Sequence, residues 1–248
     1  MGLETEINSY LEILAQDPEN RDALASLRKL YIEAQEWEKV GELLNREAEL
    51  ESDPEEKAEL FFQAGEVFEG QAERADLALV SYQQAFKAHA SCLKALEAAR
   101  RIYFSAEKYN MVARLLDLEL QMTSNPQRAV EILVELGDIL LYRMEAPDKA
   151  QECYSRVVQV QPDHPVAERR LEDLEMAALS PEERWNALEK RAERTDDALL
   201  AAQDLAMAAR EMVEQGSELE RATALVKRSR AMDPNQEVAG MLALELGL

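Results

Sequence analysis

QRAVEILVELGDILLYRMEAPDKAQECYSRVVQVQP, residues 127–162, decides the fold. Val130, Leu133, Leu136, Leu140 and Leu141 recur at the three- and four-residue spacing of one helical face. Further along, Ala150, Tyr154, Val157 and Val158 form a second such stripe. Gln161-Pro162 closes the stretch, because proline disfavours helical geometry in the residue before it. The segment therefore reads as two amphipathic helices. Neither can bury its stripe alone, so the pair needs neighbours of its own kind.

The neighbours are present. Pro18, Pro54, Pro126, Pro162 and Pro234 all lie on one 36-residue grid, whose two vacant slots hold Ala90 and Ala198. A polar residue precedes each proline: Asp17, Asp53, Asn125, Gln161 and Asp233. A second period of 72 residues relates Gly65, Gly137 and Ala209, then Ala78, Ala150 and Ala222, then Tyr10, Tyr82 and Tyr154. Odd and even units therefore differ. Glycine in mid-helix costs about 1 kcal/mol against alanine, so its recurrence at Gly65 and Gly137 predicts close helix approach. Residues 21–34 and 37–50 read as the two helices of the first full unit. The predicted fold is all-α, a solenoid of about six 36-residue helix-turn-helix repeats with a half-repeat at each end, about fourteen helices in all. It is expected to form a single domain over residues 1–248. Its repeats run over 19–54, 55–90, 91–126, 127–162, 163–198 and 199–234, with half-repeats at 3–18 and 235–248.

Composition narrows the function. Eight glycines and eight prolines in 248 residues leave too little turn chemistry for a sandwich or barrel. No apolar run approaches the ~18 residues of a membrane span, and the N-terminus lacks the basic-then-apolar build of a signal peptide. Cys92 and Cys153 form no CxxC motif, so a disulfide framework is not expected and a reducing cytoplasm fits. The net charge of −22 opposes binding to nucleic acid or anionic membranes, and residues 1–72 alone carry 19 acidic and 6 basic side chains.

At the level of motifs the sequence resembles the tetratricopeptide repeat family. Leu136-Gly137 with Leu140, then Ala150, Tyr154, Val157 and Pro162, follow its pattern, as do Ala64-Gly65, Phe68, Ala78, Tyr82 and Ala85. The odd units depart from it, since Leu27-Arg28-Tyr31 lacks the glycine. The fifth unit is weakest, with Glu168 and Glu175 at apolar slots. The resemblance implies a right-handed solenoid, and the alternation of units is similar to arrays in large bacterial repeat proteins.

No phosphate-loop, nucleophile-elbow, zincin or calcium-loop motif is present. His89 and His164 fall at inter-repeat turns and are expected to be solvated; Cys92 opens a helix with no base nearby. An enzyme, a cofactor or a metal is therefore not expected. The resemblance implies that first helices line a concave groove holding a peptide or partner segment. The faces left over by the core stripe nominate Lys29, Ile32, Phe62, Glu66, Glu69, Arg101, Phe104, Val134, Asp138, Leu141, Tyr142, Arg169, Asp173 and Arg210. Core packing is the alternative for each. Some family members clamp a carboxylate terminus with lysine and asparagine on consecutive first helices. The matching pairs here, such as Ala25/Lys29 and Phe62/Glu66, lack that clamp. Glu59, Glu66, Glu131 and Asp138 make the groove acidic, so the expected partner is a protein or peptide with basic and apolar side chains. The alternative function is a structural segment of a larger assembly. Met241, Leu242, Leu244, Leu246 and Leu248 would then support a homodimer or an end-to-end contact through the C-terminal helix.

Overall fold

The computed structural model describes residues 2–248, and among them are fourteen α-helices and no strand. In chain order these are α1 (Leu3–Gln16), α2 (Arg21–Glu33), α3 (Trp37–Leu50), α4 (Pro54–Gly70), α5 (Ala75–Ala88), α6 (Leu93–Ser105) and α7 (Tyr109–Met122). They are followed by α8 (Pro126–Tyr142), α9 (Pro147–Val160), α10 (Pro165–Ala177), α11 (Pro181–Arg194), α12 (Ala198–Glu214), α13 (Leu219–Met232) and α14 (Glu237–Glu245). The even-numbered helices are the first helices of the repeats, and α1 and α14 are the half-repeats. No helix among the described residues is long and apolar enough to cross a membrane.

Helix length explains the 72-residue period. The first helices α2, α6 and α10 have 13 residues, whereas α4, α8 and α12 have 17. The difference arises at the grid prolines, which do not simply stop helices. Asp53 and Asn125 accept hydrogen bonds from the second and third amides of α4 and α8, with Pro54 and Pro126 at the first helical position, where a missing N–H costs nothing. Asp197 caps α12 in the same way without a proline. At the start of the short helices the grid residue lies in the turn instead, and Asn20, His164 and Gln236 cap α2, α10 and α14. His164 is therefore an N-cap, its Nδ1 accepting from the Ala167 amide at 3.2 Å, rather than a merely solvated turn residue.

The chain forms two compact units, one ending at Ala150 and the other spanning Gln151–Leu248. In the first, α1 to α8 pack each against the next, with Leu24, Leu27, Val40, Leu44, Phe68 and Tyr82 in the core that α1 to α6 share. In the second, α12 packs against α11, α13 and α14 around Trp185, Leu205, Met212, Leu225 and Val226. Ala78, Ala150 and Ala222 have no exposed surface, as the 72-residue set requires. A Cβ at Gly65 would stand 2.4 Å from the Tyr82 ring, so α4 and α5 meet as closely as the glycine signal predicts. Gly41 does the same against Phe68 at 2.5 Å, a contact without a recurrent glycine to reveal it.

Between successive repeats, polar links recur near one-repeat spacing. Glu38 pairs with Arg74, and Asn45 accepts from Ser81 at 3.1 Å, tying α3 to α5. Glu59 pairs with Lys94 and Glu69 with Arg101, tying α4 to α6. In the second unit, Asn186 and Glu189 hold Arg221 and tie α11 to α13.

Inside the short repeats a different pair joins first helix to second. Arg28 holds Glu47 at 2.8 Å, and 72 residues on Arg100 holds buried Glu119 at 3.0 Å, with Arg128 adding bonds at 2.8 and 2.5 Å. The third copy reverses the charges: Glu172 stands on the first helix and buried Arg191 on the second, 3.6 Å apart. Arg191 donates to Asp173 at 2.6 Å and to fully buried Asp204 at 2.9 and 2.8 Å, and Arg169 closes on the same Asp204 carboxylate at 2.6 Å. Asp204 occupies the slot that holds Leu60 and Ile132 in the other copies.

Candidate protein-binding surface

On α4, the i, i+4, i+7 positions Phe62, Glu66 and Glu69 share a face, and α6 brings Lys94 and Arg101 beside it. The Phe62 ring is half-buried, 5.5 Å from the Tyr82 ring, with the Lys94 ammonium 4.1 Å above its centroid. A cation over an aromatic face is favourable and leaves the ring's other edge available. Lys94 also donates to Glu59, and that hydrogen bond holds the Glu59 carboxyl below the usual range. Glu69 accepts from the Tyr82 hydroxyl at 2.7 Å and from Arg101 at 2.8 Å. Burial, then the bond to Glu69, pushes the Tyr82 hydroxyl pKa upward, so it stays a donor. Phe62, Glu69 and Arg101 thus come together, joined by Glu59, which the sequence reading counted among the groove's acidic residues, and by Lys94 and Tyr82, which it did not place there. The offsets of 35 residues from Glu59 to Lys94 and 32 from Glu69 to Arg101, close to one repeat, were the available signal.

Glu66 lies exposed between the two ion pairs and makes none itself among the described residues. Lys29 and Ile32 are exposed on α2. Phe104, 44% exposed at the end of α6, meets Tyr109 edge-on at 5.6 Å. On α8, Val134, Asp138 and Leu141 are half-buried and Tyr142 is 54% exposed. The second unit treats its candidates differently. Arg169 and Asp173 of α10 are drawn into the Arg191–Asp204 network, and Arg210 is exposed on α12, paired with Glu214 of its own helix at 2.7 Å. None of the fourteen candidates falls in the fully buried class.

Neither cysteine is exposed. Burial pushes the Cys92 thiol pKa upward, opposite to the depression that a helix start would give.

No protein-family model matches the chain, and no curated protein matches it. Among solved structures it is similar to the C-terminal part of a TPR repeat-containing protein from Cytophaga hutchinsonii, at 13% identity and a TM-score of 0.55, covering 96% of this chain and 95% of that one. It is also similar to YrrB, described as a TPR protein with an unusual peptide-binding site, at 16% identity and a TM-score of 0.48, covering 75% of this chain and 91% of that one. Its helix order, its period and the first of these likenesses together give the chain the helical-hairpin fold of the tetratricopeptide repeat proteins.

Proposed function

We propose that the chain is a non-catalytic interaction scaffold whose first-helix face in the first unit holds a segment of another protein carrying basic and apolar side chains. The observation that carries this reading is the exposure of large apolar side chains on those helices: Ile32 of α2, Phe104 of α6 and Tyr142 of α8. Exposed aromatics make good interface anchors. Acidic Glu66 beside half-buried Phe62 supplies the charge that a lysine or arginine would meet. YrrB is described as binding a peptide, which is compatible with this use of the fold.

Selection of displayed peptides on the purified chain tests it. The expected winners carry lysine or arginine next to aliphatic residues, and Glu66→Lys and Phe104→Ala weaken them while far-UV circular dichroism stays unchanged. Winners of acidic composition, or binding indifferent to both substitutions, would refute the reading.

The second reading is self-association through α14, favoured by one observation: Met241 and Leu244 are 63% and 83% exposed on its outer face. Light scattering that finds only monomer at high concentration removes it.

A further inference from the structure

The second helices α3 and α5 are tied by Glu38–Arg74 and Asn45–Ser81, but the same edge one repeat later is untied. The positions following Arg74 and Ser81 at that spacing are Asn110 and Asp117, both exposed, and no hydrogen bond or ion pair joins α5 to α7 among the described residues. Between the two helices lies a cavity of about 480 Å³ floored by α6. Leu79, Val80 and Phe86 of α5 form one wall, and Met111, Leu115 and Leu118 of α7 form the other. The small residues Ala95 and Ala99 on α6 deepen the floor. Val80, more than half exposed, stands where the cavity opens. A pocket of this size with mostly aliphatic walls and few polar groups is the ordinary form of a small-molecule site.

The polar groups restrict what fits. Asp76 lines one end, where the Arg74 guanidinium grips it with two bonds at 3.0 and 2.9 Å while also pairing with Glu38. Lys87 lines the cavity eleven residues further along α5, about 16 Å away at the helical rise, and makes no ion pair among the described residues. Lys87 is therefore the charged group lining the cavity that has no ion pair among the described residues. An extended peptide would find partners only at Gln83, Tyr82 and Tyr103 and would press most of its amides against aliphatic walls, a costly desolvation, whereas an alkyl chain has no such groups to satisfy. Each methylene moved from water into the cavity is favourable.

We propose that the furrow between α5 and α7 binds a free aliphatic acid, its chain along Leu79, Val80, Met111 and Leu115 and its carboxylate on Lys87. Its walls belong to second helices and its floor to α6, and Lys87 and Gln83 lie outside the first-helix face, so substitutions there test the two readings separately.

Dodecanoate, whose extended chain is close to the Asp76–Lys87 span, is the probe, titrated calorimetrically below its micelle concentration. The expected result is saturable binding at one site. Lys87→Glu, on an exposed side chain, weakens it about tenfold or more, since a charge-assisted hydrogen bond is replaced by repulsion. Gln83→Trp, which fills the mouth from another exposed position, abolishes it with circular dichroism unchanged, and dodecan-1-ol binds about tenfold more weakly. The proposal is overturned by absent or unsaturable binding, by equal binding of the alcohol, by affinity indifferent to both substitutions, or by an amphipathic helical peptide that occupies the furrow where dodecanoate does not.

Discussion

The third and fifth repeats solve one problem with opposite signs. In the third, a buried carboxylate, Glu119, is held by Arg100 and Arg128. In the fifth, a buried guanidinium, Arg191, is held by Asp173 and Asp204, with Glu172 nearby. Burial works against the charged form of Arg191, but its bonds to Asp204 and Asp173 outweigh that and keep its pKa above the ordinary arginine range. The comparison teaches that this hairpin position demands a matched charge, not a particular one. It also shows what the reversal displaced. Asp204 took the place of an aliphatic residue on α12, and α10 buries only Ala167 and Met176. Beside α10 lies a cavity of about 680 Å³ lined by Arg169, Arg184 and Arg191. Ion pairs hold α10 where apolar side chains hold its counterparts α2 and α6.

The largest expected effect removes the compensation. Asp204→Leu restores the residue type of the other copies but leaves buried Arg191 with only Asp173 and Glu172 and takes Arg169's partner away, and should cost about 3–5 kcal/mol in chemical denaturation. Adding Arg191→Leu should recover most of that loss. A single substitution costing under about 1 kcal/mol would mean that Arg191 reaches water, and the parallel with Glu119 would fail.

Next in size is a packing test in the first unit. Gly65→Ala gains about 1 kcal/mol of helix propensity but drives a methyl into the Tyr82 ring, which its bond to Glu69 holds in place. Overpacking of about 1–3 kcal/mol should win, leaving a net destabilisation. An unchanged melting temperature would show that α4 and α5 can part.

Turn chemistry gives a smaller effect of opposite sign. In the first unit, Gln35 and Glu107 end α2 and α6 with φ of 58° and 56°, and the following amides close back on Tyr31 and Tyr103 at 2.9 and 2.8 Å. The second unit places Gly216 in the corresponding left-handed position after α12. Glu107→Gly should therefore stabilise the chain by about 0.5–1 kcal/mol, read from the denaturation midpoint.

The smallest effect is a titration. The amides of Asp53 and Ser52, then Arg21, hold the Glu51 carboxyl down at about 2. A carboxylate depressed on folding adds stability that is complete above the unfolded value of about 4.5 and fades as pH falls toward 2. Carboxyl-carbon NMR should place its midpoint near 2. A midpoint near 4.5 would show that the amides do not hold it.

Much of this was legible in advance. Leu24, Leu27, Leu133 and Leu136 announce helices because an apolar stripe has no other economical use, and the grid gave six repeats and two halves. The alternation of short and long first helices was not legible, because Asp17-Pro18 and Asp53-Pro54 are the same dipeptide in two roles. Only the cap that follows, Asn20 in one case and Asp53 itself in the other, separates them. Arg191 and Asp204 escaped notice because a charged residue reads as surface until its partner is known. The set Glu47, Glu119, Arg191 carries the signal only when set beside Arg28, Arg100, Glu172. Phe62, Glu69 and Arg101 were nominated from separate helices without being set side by side, and the lysine that roofs Phe62 had no motif to betray it.

The alternation of 13- and 17-residue first helices also governs how such a gene can grow. Unequal recombination that drops or adds a single hairpin would set two long helices, or two short ones, in succession, against partners shaped for the other kind. Only exchanges of a whole four-helix block leave every seam matched, so sister sequences should differ in length by multiples of 72 residues.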